Sequence, residues 1–370
     1  MDHIKQLDSI RAMAVLLVII THWFPEGHWL NSYTSVFNGV DIFFVLSGFL
    51  ITTILLLHRN EAERIGTSKL TVFRNFFTRR ALRIFPIYYL TLAVLYLLGP
   101  LTESGIRDNY LYFFTYTSNL YFFEQQQWDG MLSHLWSLAV EEQFYLVWPW
   151  VMLYLNKPYL LPFIVISILI GITSQLFLLN QDFGDILTFA CFDAFGLGAL
   201  LAWVRVYQPS LLPKLFKYSL ALALLCFALQ ISRVMGQSSY LVLPSRTLTA
   251  VCTLSVIAGI ILYKDRQLPV LSKVLGNSSL LFIGKISYGF YLYHLMIPYF
   301  SYELLGRVNA YFWPLGSELF IFYLVRLENF CLLILLSALS WRLLEHPILR
   351  FKTYFEYQNE KLYQPKKILL

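Results

Sequence analysis

Residues 36–57 read VFNGVDIFFVLSGFLITTILLL, a run of 22 residues with a single charged side chain, Asp41. A helix that crosses a membrane needs about 20 predominantly apolar residues. In lipid, every backbone polar group must be paired within the protein, and a helix pairs its own. This stretch therefore predicts a transmembrane helix, and runs like it decide the fold class of the chain.

The composition of the whole chain supports the same conclusion. Of its 370 residues, 58% are hydrophobic, 18% aromatic and 14% charged, whereas soluble domains carry about 25% charged residues. The mean hydropathy is +0.59. These values exclude an ordinary water-soluble domain. The formal net charge of +6 indicates the orientation of a membrane protein, and no nucleic-acid partner is predicted.

Ten apolar runs predict an all-α, polytopic integral membrane protein. The predicted spans are 7–24, 36–57, 84–99, 135–155, 159–179, 186–204, 216–232, 247–263, 280–301 and 319–343. The stretch 109–123 is apolar but short and rich in tyrosine, so we expect it to lie in the interface or to re-enter the membrane without crossing it. Residues 1–350 are expected to form a single transmembrane domain, and residues 351–370 a short cytoplasmic tail.

Basic residues predict which side of the membrane each loop occupies, because cytoplasmic loops carry the excess of Lys and Arg. One set of alternate loops, with the tail, contains Arg59, Arg64, Lys69, Arg74, Arg79, Arg80, Arg83, Lys157, Arg205, Lys214, Lys217, Lys264, Arg266, Lys273, Lys285, Arg350, Lys352, Lys361, Lys366 and Lys367. The opposite set contains Arg107, Arg233, Arg246 and Arg307. This asymmetry predicts cytoplasmic termini and an even number of spans.

The first predicted span contains two ionisable side chains, Arg11 and His22. Such groups at membrane depth are costly and are candidates for a functional site. Eleven residues of helix make about three turns, so the two side chains lie about 20° apart around the axis and about 16 Å apart along it. The pair could hold an anionic substrate at one end and transfer protons at the other. Alternatively, Arg11 extends to the interface and His22 bonds a neighbouring helix.

The second span adds Asp41, Ser47 and Gly48. We expect Asp41 to pair with His22 or with an arginine inside the bundle, because an unpaired carboxylate would be costly there. The small residues Ser47 and Gly48 predict close helix packing.

Three arginines, Arg79, Arg80 and Arg83, precede the third apolar run in FFTRRALRIFPIYYL. Arg79 and Arg83 lie one helical turn apart. A guanidinium cluster suits phosphate groups. Plain positive-inside topology or contact with anionic lipid would explain the same cluster.

Two adjacent carboxylates, Glu141 and Glu142, begin the span HLWSLAVEEQFYLVWPW. Ser137, Glu141 and Tyr145 share a helix face, and Glu142 points about 100° away. We expect at least one carboxylate to face a polar cavity, where it could orient a catalytic histidine.

A histidine also occurs in the ninth predicted span. Ser287, Tyr291 and His294 follow the i, i+4, i+7 spacing of one helix face. A structural role and a functional role for His294 both fit this pattern. The four cysteines lie inside apolar runs without metal-ligand spacing, and no metal site is predicted.

Taken in order, these segments resemble the acyltransferase type 3 family of integral-membrane acyltransferases. The resemblance covers about residues 5–350 and rests on LDSIRAMAVLLVIITH, GVDIFFVLSGFLIT, RRALRIFPIYYL, HLWSLAVEEQFYLVWP, FDAFGLGALLA and ISYGFYLYHL. It implies a ten-helix domain in the bacterial cytoplasmic (inner) membrane. It further implies transfer of an acyl group, usually acetyl from cytoplasmic acetyl-CoA, to a hydroxyl of an extracytoplasmic or membrane-associated acceptor, typically a surface carbohydrate.

The resemblance also implies roles for individual residues. Arg11 and His22 match the essential pair of the family, and other recurrent motif positions are occupied by Asp41, Arg79, Arg80, Arg83 and Glu141 or Glu142. We expect the three arginines, with Ser47, to bind the acyl-CoA co-substrate. His22 is then the general base, oriented by Glu142 or Asp41. Direct transfer and a transient acyl-enzyme remain equally open.

Some family members carry an additional C-terminal hydrolase-like domain, which this sequence lacks. Any second transfer step would therefore need a separate extracytoplasmic partner protein or be absent. The main alternative is a proton-coupled transporter or flippase of a glycolipid or small molecule, because intramembrane Arg, His, Asp and Glu also fit a proton relay. The sequence shows no matched pair of interrupted helices, which many transporters have. A membrane acyltransferase of another fold fits the spacing of Arg11 and His22 less well.

Overall fold

The structure is a computed structural model that describes residues 4–34, 36–102, 104–236, 244–263 and 273–355. Within these ranges, all regular secondary structure is helical. Several basic residues used to predict the topology lie outside the described residues, namely Lys264, Arg266, Lys361, Lys366 and Lys367.

The helices follow the predicted apolar runs along most of the chain. They are α1 (Gln6–Trp23), α2 (Trp29–Thr34), α3 (Gly39–Ile65), α4 (Lys69–Leu98), α5 (Tyr110–Phe114), α6 (Ser118–Gln125), α7 (Leu135–Tyr154), α8 (Lys157–Phe177), α9 (Phe192–Tyr207), α10 (Leu212–Val234), α11 (Ser245–Leu262), α12 (Ser278–Lys285), α13 (Ser287–Tyr293), α14 (Met296–Phe312), α15 (Glu318–Ser340) and α16 (His346–Leu349). Short 3₁₀ segments occur between them, including Gly130–Leu132 and Thr188–Cys191. Eight helices in the described ranges are long and apolar enough to cross a membrane: α1, α3, α4, α8, α9, α10, α11 and α15.

Two of the ten predicted spans are not among these eight. Helix α7 is continuous over 20 residues at the predicted position, but it carries the polar residues of the sequence HLWSLAVEEQ. The predicted span 280–301 is not one continuous helix. The chain there forms α12, α13 and the start of α14, with breaks at Ile286 and at His294–Leu295.

The second break has a physical reason in the side chains around it. A helix break frees backbone carbonyls, which need other donors at membrane depth. The carbonyl of Leu292 is 3.0 Å from His134 Nε2, that of Tyr291 is 2.6 Å from His294 Nδ1, and that of His294 accepts a bond of 2.7 Å from the Trp23 indole. Ring N–H groups thus replace the missing helix bonds.

The tyrosine-rich stretch 109–123 forms two short helices, α5 and α6, of 5 and 8 residues. They meet at Tyr116, whose φ of 54° lies in the left-handed region. The hydroxyl of Tyr88 on α4 donates to the Phe113 carbonyl at 2.7 Å. Neither helix approaches the roughly 20 residues that a crossing requires, as expected for a segment that does not span.

Helix α3 lies at the centre of the bundle and packs against α1, α7, α9 and α11. Its contact with α9 is close because of glycines on both helices. A Cβ on Gly48 would lie 2.0 Å from the Phe195 carbonyl oxygen, and one on Gly198 would lie 2.1 Å from the Val45 carbonyl oxygen. The packing predicted for Gly48 is therefore confirmed. This close contact fixes the helix that carries Asp41 and Ser47.

Candidate active site

A cavity between α1, α3, α4, α7 and α13 contains most of the polar residues that the sequence singled out. The space between its lining residues, including the part open to solvent, comes to about 840 Å³. The predicted site residues that line it are Arg11, Ser47, Arg80, Arg83, Glu141 and Glu142. We call it the arginine cavity. Arg79, Asp41 and His22 are not among its lining residues.

The cations of the arginine cavity differ in their ion pairing. Arg11 pairs with Asp8 through an Nη1–Oδ1 distance of 2.5 Å. Within the described residues, Arg80 and Arg83 form no ion pair. The Arg80 guanidinium lies over the Tyr145 ring, 5.2 Å from its centroid. Half-buried cations without ion pairs are costly, and their N–H groups favour an anionic ligand such as a phosphate.

Both carboxylates of α7 also line the arginine cavity. Glu141 accepts hydrogen bonds from the Ser47 hydroxyl and, at 2.9 Å, from the Tyr145 hydroxyl. Glu142 Oε1 is buried and has no hydrogen-bond partner in the described part of the chain. The expectation that at least one carboxylate faces a polar cavity is therefore confirmed. Ser137 lines the cavity as well, as its shared helix face predicts.

His22 lies near the other end of α1, within a group of three histidines that we call the histidine cluster: His22, His134 and His294. The ring centroids of His22 and His294 are 5.0 Å apart, and those of His134 and His294 are 4.9 Å apart. His134 and His294 are buried, whereas His22 is exposed. The most accessible imidazole of the cluster is thus the one predicted to be the base.

The partners of the ring nitrogens assign the tautomers, because a carbonyl can only accept. His22 Nδ1–H donates to the Val18 carbonyl at 2.8 Å, and His294 Nδ1–H donates to the Tyr291 carbonyl at 2.6 Å. The neutral His294 ring then has a lone pair on Nε2, which lies 3.3 Å from His22 Nδ1 and can accept from it. This arrangement leaves His22 Nε2 with a lone pair, as a base requires.

His134 completes the histidine cluster and joins it to the arginine cavity. Its Nε2–H donates to the Leu292 carbonyl, and its buried Nδ1 has no partner within the described residues. The hydroxyls of Ser137 and Tyr291 donate to the His134 carbonyl at 3.1 and 3.2 Å. Ser137 and Tyr291 also line the arginine cavity. They therefore form the boundary between the cavity and the cluster.

The end of α1 is held in place beside the histidine cluster. The Trp23 indole N–H donates to the His294 carbonyl at 2.7 Å, and Arg326 Nε donates to the Trp23 carbonyl at 2.8 Å. These bonds connect α1 to α15 and to the break between α13 and α14, next to His22. The imidazole is thus positioned from neighbouring helices as well as from its own.

Asp41 is paired elsewhere in the bundle. Its Oδ1 lies 2.8 Å from Arg246 Nε, and both side chains are buried. Arg246 Nη1 also donates to the Asp185 carbonyl at 2.7 Å. The expectation of pairing with an arginine is confirmed, and that of pairing with His22 is wrong, because α11 presents a stronger partner at this depth. The hydrogen bonds of His22 within the described residues go to Val18 and His294, and Glu142 is not among their partners.

His134 is not among the site residues predicted from the sequence, although it is the first residue of the motif HLWSLAVEEQFYLVWP. Its position directly before a predicted span was the one feature of the sequence that could have marked it as a candidate site residue. The described residues contain no group of three or more His, Cys, Asp or Glu side chains arranged to hold a metal ion. The partners of the histidine cluster are accordingly carbonyl oxygens and one another.

Comparison with known proteins places the chain in a family. A family model described as an acyltransferase domain matches residues 4–343, and the chain belongs to this family of acyltransferases. The resemblance seen in the motifs is thereby confirmed. Membership favours acyl transfer over the transport alternative.

Three relatives illustrate the similarity. A Staphylococcus aureus (strain COL) protein named "putative O-acetyltransferase" is 30% identical over 94% of this chain and 57% of its own length. The peptidoglycan O-acetyltransferase OatA of Listeria monocytogenes is 28% identical over 98% and 58%. A Bacillus subtilis protein named "putative peptidoglycan O-acetyltransferase" is 29% identical over 94% and 55%. The chain spans somewhat more than half the length of these relatives. No solved structure matches it.

Proposed function

We propose that this chain transfers an acetyl group from acyl-CoA to a hydroxyl of an extracytoplasmic or lipid-linked carbohydrate. Family membership and the names of the relatives support O-acetyl transfer to a cell-wall saccharide. The observation that carries the proposal is the hydrogen bonding of His22, whose Nδ1–H is held by Val18 and His294. Its Nε2 is left as the basic nitrogen, on a histidine outside the arginine cavity whose cluster is joined to that cavity through Ser137 and Tyr291.

Arg80 and Arg83 are the proposed binding groups for the phosphates of acyl-CoA. Their guanidinium groups form no ion pair within the described residues, and their planar fork matches phosphate oxygens. Arg11 adds a third cation to the same cavity, and Arg79 adds charge nearby on α4. Glu142, with its unpartnered oxygen, is an acceptor for an amide N–H of the donor. Ser47 donates a hydrogen bond to Glu141, the residue next to Glu142 on α7.

In the proposed reaction, His22 Nε2 accepts the proton of the acceptor hydroxyl as that oxygen forms a bond to the acyl carbon. When bound, acyl-CoA supplies the thioester carbonyl and the sulfur leaving group. The carbon–sulfur bond breaks, and His22 returns its proton to the sulfur. The products are an acetyl ester and free CoA. His294 is the proposed positioning residue, in the role first expected of Glu142 or Asp41, because it accepts from the opposite nitrogen of His22.

We further propose ten spans with both termini in the cytoplasm of a bacterial cell, in its cytoplasmic membrane. The eight apolar helices are joined by α7 and by the broken segment α12–α14. Both contribute to the arginine cavity or to the histidine cluster, so both belong inside the bundle. The excess of basic residues in alternate loops supports the orientation.

The test is a transfer assay with the purified chain, labelled acetyl-CoA and peptidoglycan fragments. Replacing His22→Gln should lower kcat by about 10²–10⁴-fold, the range of general acid–base catalysis. His28→Gln is the matched control, because His28 lies near the same end of α1 and bonds the Tyr323 hydroxyl at 2.8 Å, outside the cluster. It should retain wild-type turnover. Transfer by His22→Gln within tenfold of wild type would refute the base assignment. No release of CoA by the wild type would favour transport.

A further inference from the structure

A second cleft opens between α14 and the segment that links α4 to α7. The space between its lining residues, including the part open to solvent, comes to about 880 Å³, and none of these residues lines the arginine cavity. Its lining residues include Tyr121, Gln125, Gln127, Trp128, Asp129 and Tyr299. All but Tyr299 belong to a stretch outside the predicted spans. We call it the linker cleft.

The chemistry of the linker cleft differs from that of the arginine cavity. Three of the lining side chains named are aromatic, two are amides and one is a carboxylate, and no Lys or Arg is among the lining residues. Aromatic rings offer apolar faces with polar edges. Amides and carboxylates offer both donors and acceptors for hydroxyl groups. This combination suits a neutral ring that has C–H faces and many hydroxyls, and it does not suit a phosphate or an acyl chain.

The aromatic wall of the cleft is held rigidly. The Trp128 ring packs against Phe183 and Phe122, with ring centroids 4.6 and 5.5 Å apart. Even so, 46% of Trp128 remains exposed. An anchored aromatic ring with an open surface binds a ligand at little cost in side-chain entropy. The exposed face of the Trp128 indole is therefore available for stacking against a ligand ring.

The polar wall is shaped by an unusual backbone conformation. Gln126 has a φ of 53°, in the left-handed region, and its amide donates to the Asp182 carbonyl at 3.1 Å. The residues on either side, Gln125 and Gln127, both line the cleft. Asp129 is held at the floor by the Gly105 N–H, which donates to its Oδ2 at 3.0 Å.

The linker cleft adjoins the chain segments that carry the histidine cluster. Met131 lines the cleft and lies three residues before His134, on the 3₁₀ turn that leads into α7. Tyr299 lies five residues after His294, on α14. Two cleft residues thus lie three and five positions along the chain from two histidines of the cluster.

We propose that the linker cleft binds a neutral pyranose ring of the acceptor saccharide, next to the sugar that receives the acyl group. This inference rests on the proposed function, because it takes the acceptor to be a carbohydrate. In this proposal, the Trp128 ring stacks on the face of the sugar ring, and Gln125, Gln127 and Asp129 form hydrogen bonds to its hydroxyls.

Binding can be measured apart from catalysis, by calorimetric titration of the purified chain with chitotetraose and with maltotetraose as neutral probes. Trp128→Ala should weaken binding by at least about tenfold, the effect of truncating a well-packed aromatic contact. Gln127→Leu should weaken it by about threefold to tenfold, as expected for a lost neutral hydrogen bond. Trp150→Ala is the matched control, because Trp150 on α7 is 45% exposed but lies outside the cleft. It should bind like the wild type.

The outcomes separate this inference from the proposed function. His22→Gln should bind the probes normally while losing transfer. Loss of binding in Trp128→Ala supports the cleft even if His22 proves dispensable for transfer, in which case only the proposed mechanism fails. The inference is overturned if Trp128→Ala and Gln127→Leu both bind like the wild type. It is also overturned if the wild type binds neither probe. Thermal unfolding of each variant checks that the fold is retained.

Discussion

Replacing His294→Phe isolates the contribution of the contact between the two ring nitrogens of His22 and His294. Phenylalanine keeps a ring of similar size but has no nitrogen to accept the His22 Nδ1–H. His294 does not line the arginine cavity, so the KM for acyl-CoA should not change. We expect the effect to appear in kcat.

The size of the effect follows from the two acceptors that hold His22 Nδ1–H. The Val18 carbonyl, at 2.8 Å, belongs to the backbone and survives the substitution, whereas His294 Nε2 lies at 3.3 Å. Val18 alone keeps the tautomer, so the loss should stay far below the roughly 10⁴-fold seen when a triad histidine loses its orienting carboxylate. A bond to a charged group contributes about 1.5–3 kcal/mol, and the long distance favours the lower end. A loss of about 1.5 kcal/mol corresponds to about tenfold in kcat.

The assay is initial-rate release of CoA with both substrates saturating, on protein reconstituted in nanodiscs. His294→Gln should recover to within about threefold of wild type, because an amide can donate to the Tyr291 carbonyl and accept from His22. His294→Phe also leaves that carbonyl without its donor, at a cost of about 1–3 kcal/mol, so thermal unfolding is measured in parallel. A fall in kcat of less than twofold would show that the pairing does not assist the reaction. A loss above 10³-fold in both variants would identify His294 itself as the base.

Two further predictions concern ionic contacts. Arg83→Ala should raise the KM for acyl-CoA by about 10–100-fold, as expected for lost bonds to a charged ligand, and leave the KM for the acceptor unchanged. Arg64→Ala is the control, because the Arg64 side chain is 68% exposed at the end of α3; it should change neither KM value. Equal effects of Arg83→Ala on the KM values of both substrates would contradict the assignment. Arg246→Met leaves Asp41 as a buried charge without its partner. It should lower the free energy of unfolding by about 3–5 kcal/mol, as measured by thermal unfolding. Adding Asp41→Leu to this variant should recover much of the lost stability. A stable Arg246→Met with low kcat would instead favour a role for Asp41 in catalysis.

Much of the fold could be predicted because it depends on local properties of the chain. The length of an apolar run and the pairing of backbone groups within a helix need no distant partner. For this reason α3 and seven other helices lie where the apolar runs placed them. The continuity of α1 from Gln6 to Trp23 likewise justifies the spacing argument for Arg11 and His22. Most of the predicted anion-binding residues line one cavity, because the helices that carry their motifs pack around it.

The break within the predicted span 280–301 could not be foreseen from apolarity. Its residues are hydrophobic enough for a continuous helix. The chain leaves the helix at His294 because side chains from elsewhere supply the missing partners, such as Trp23, which bonds the His294 carbonyl. A donor 271 positions away in sequence leaves no trace in the local pattern.

By itself, then, the amino-acid order determined that the chain is a bundle of membrane helices, which polar groups lie inside it, and which of them share a helix face. Only the tertiary structure decided their partners. Asp41 is paired with Arg246, 205 residues away, and His22 with His294, 272 residues away. The physical reason is that a buried polar group is stabilised by whichever complementary group the packing brings within hydrogen-bond distance, and that distance is set by how the helices pack, not by their order along the chain.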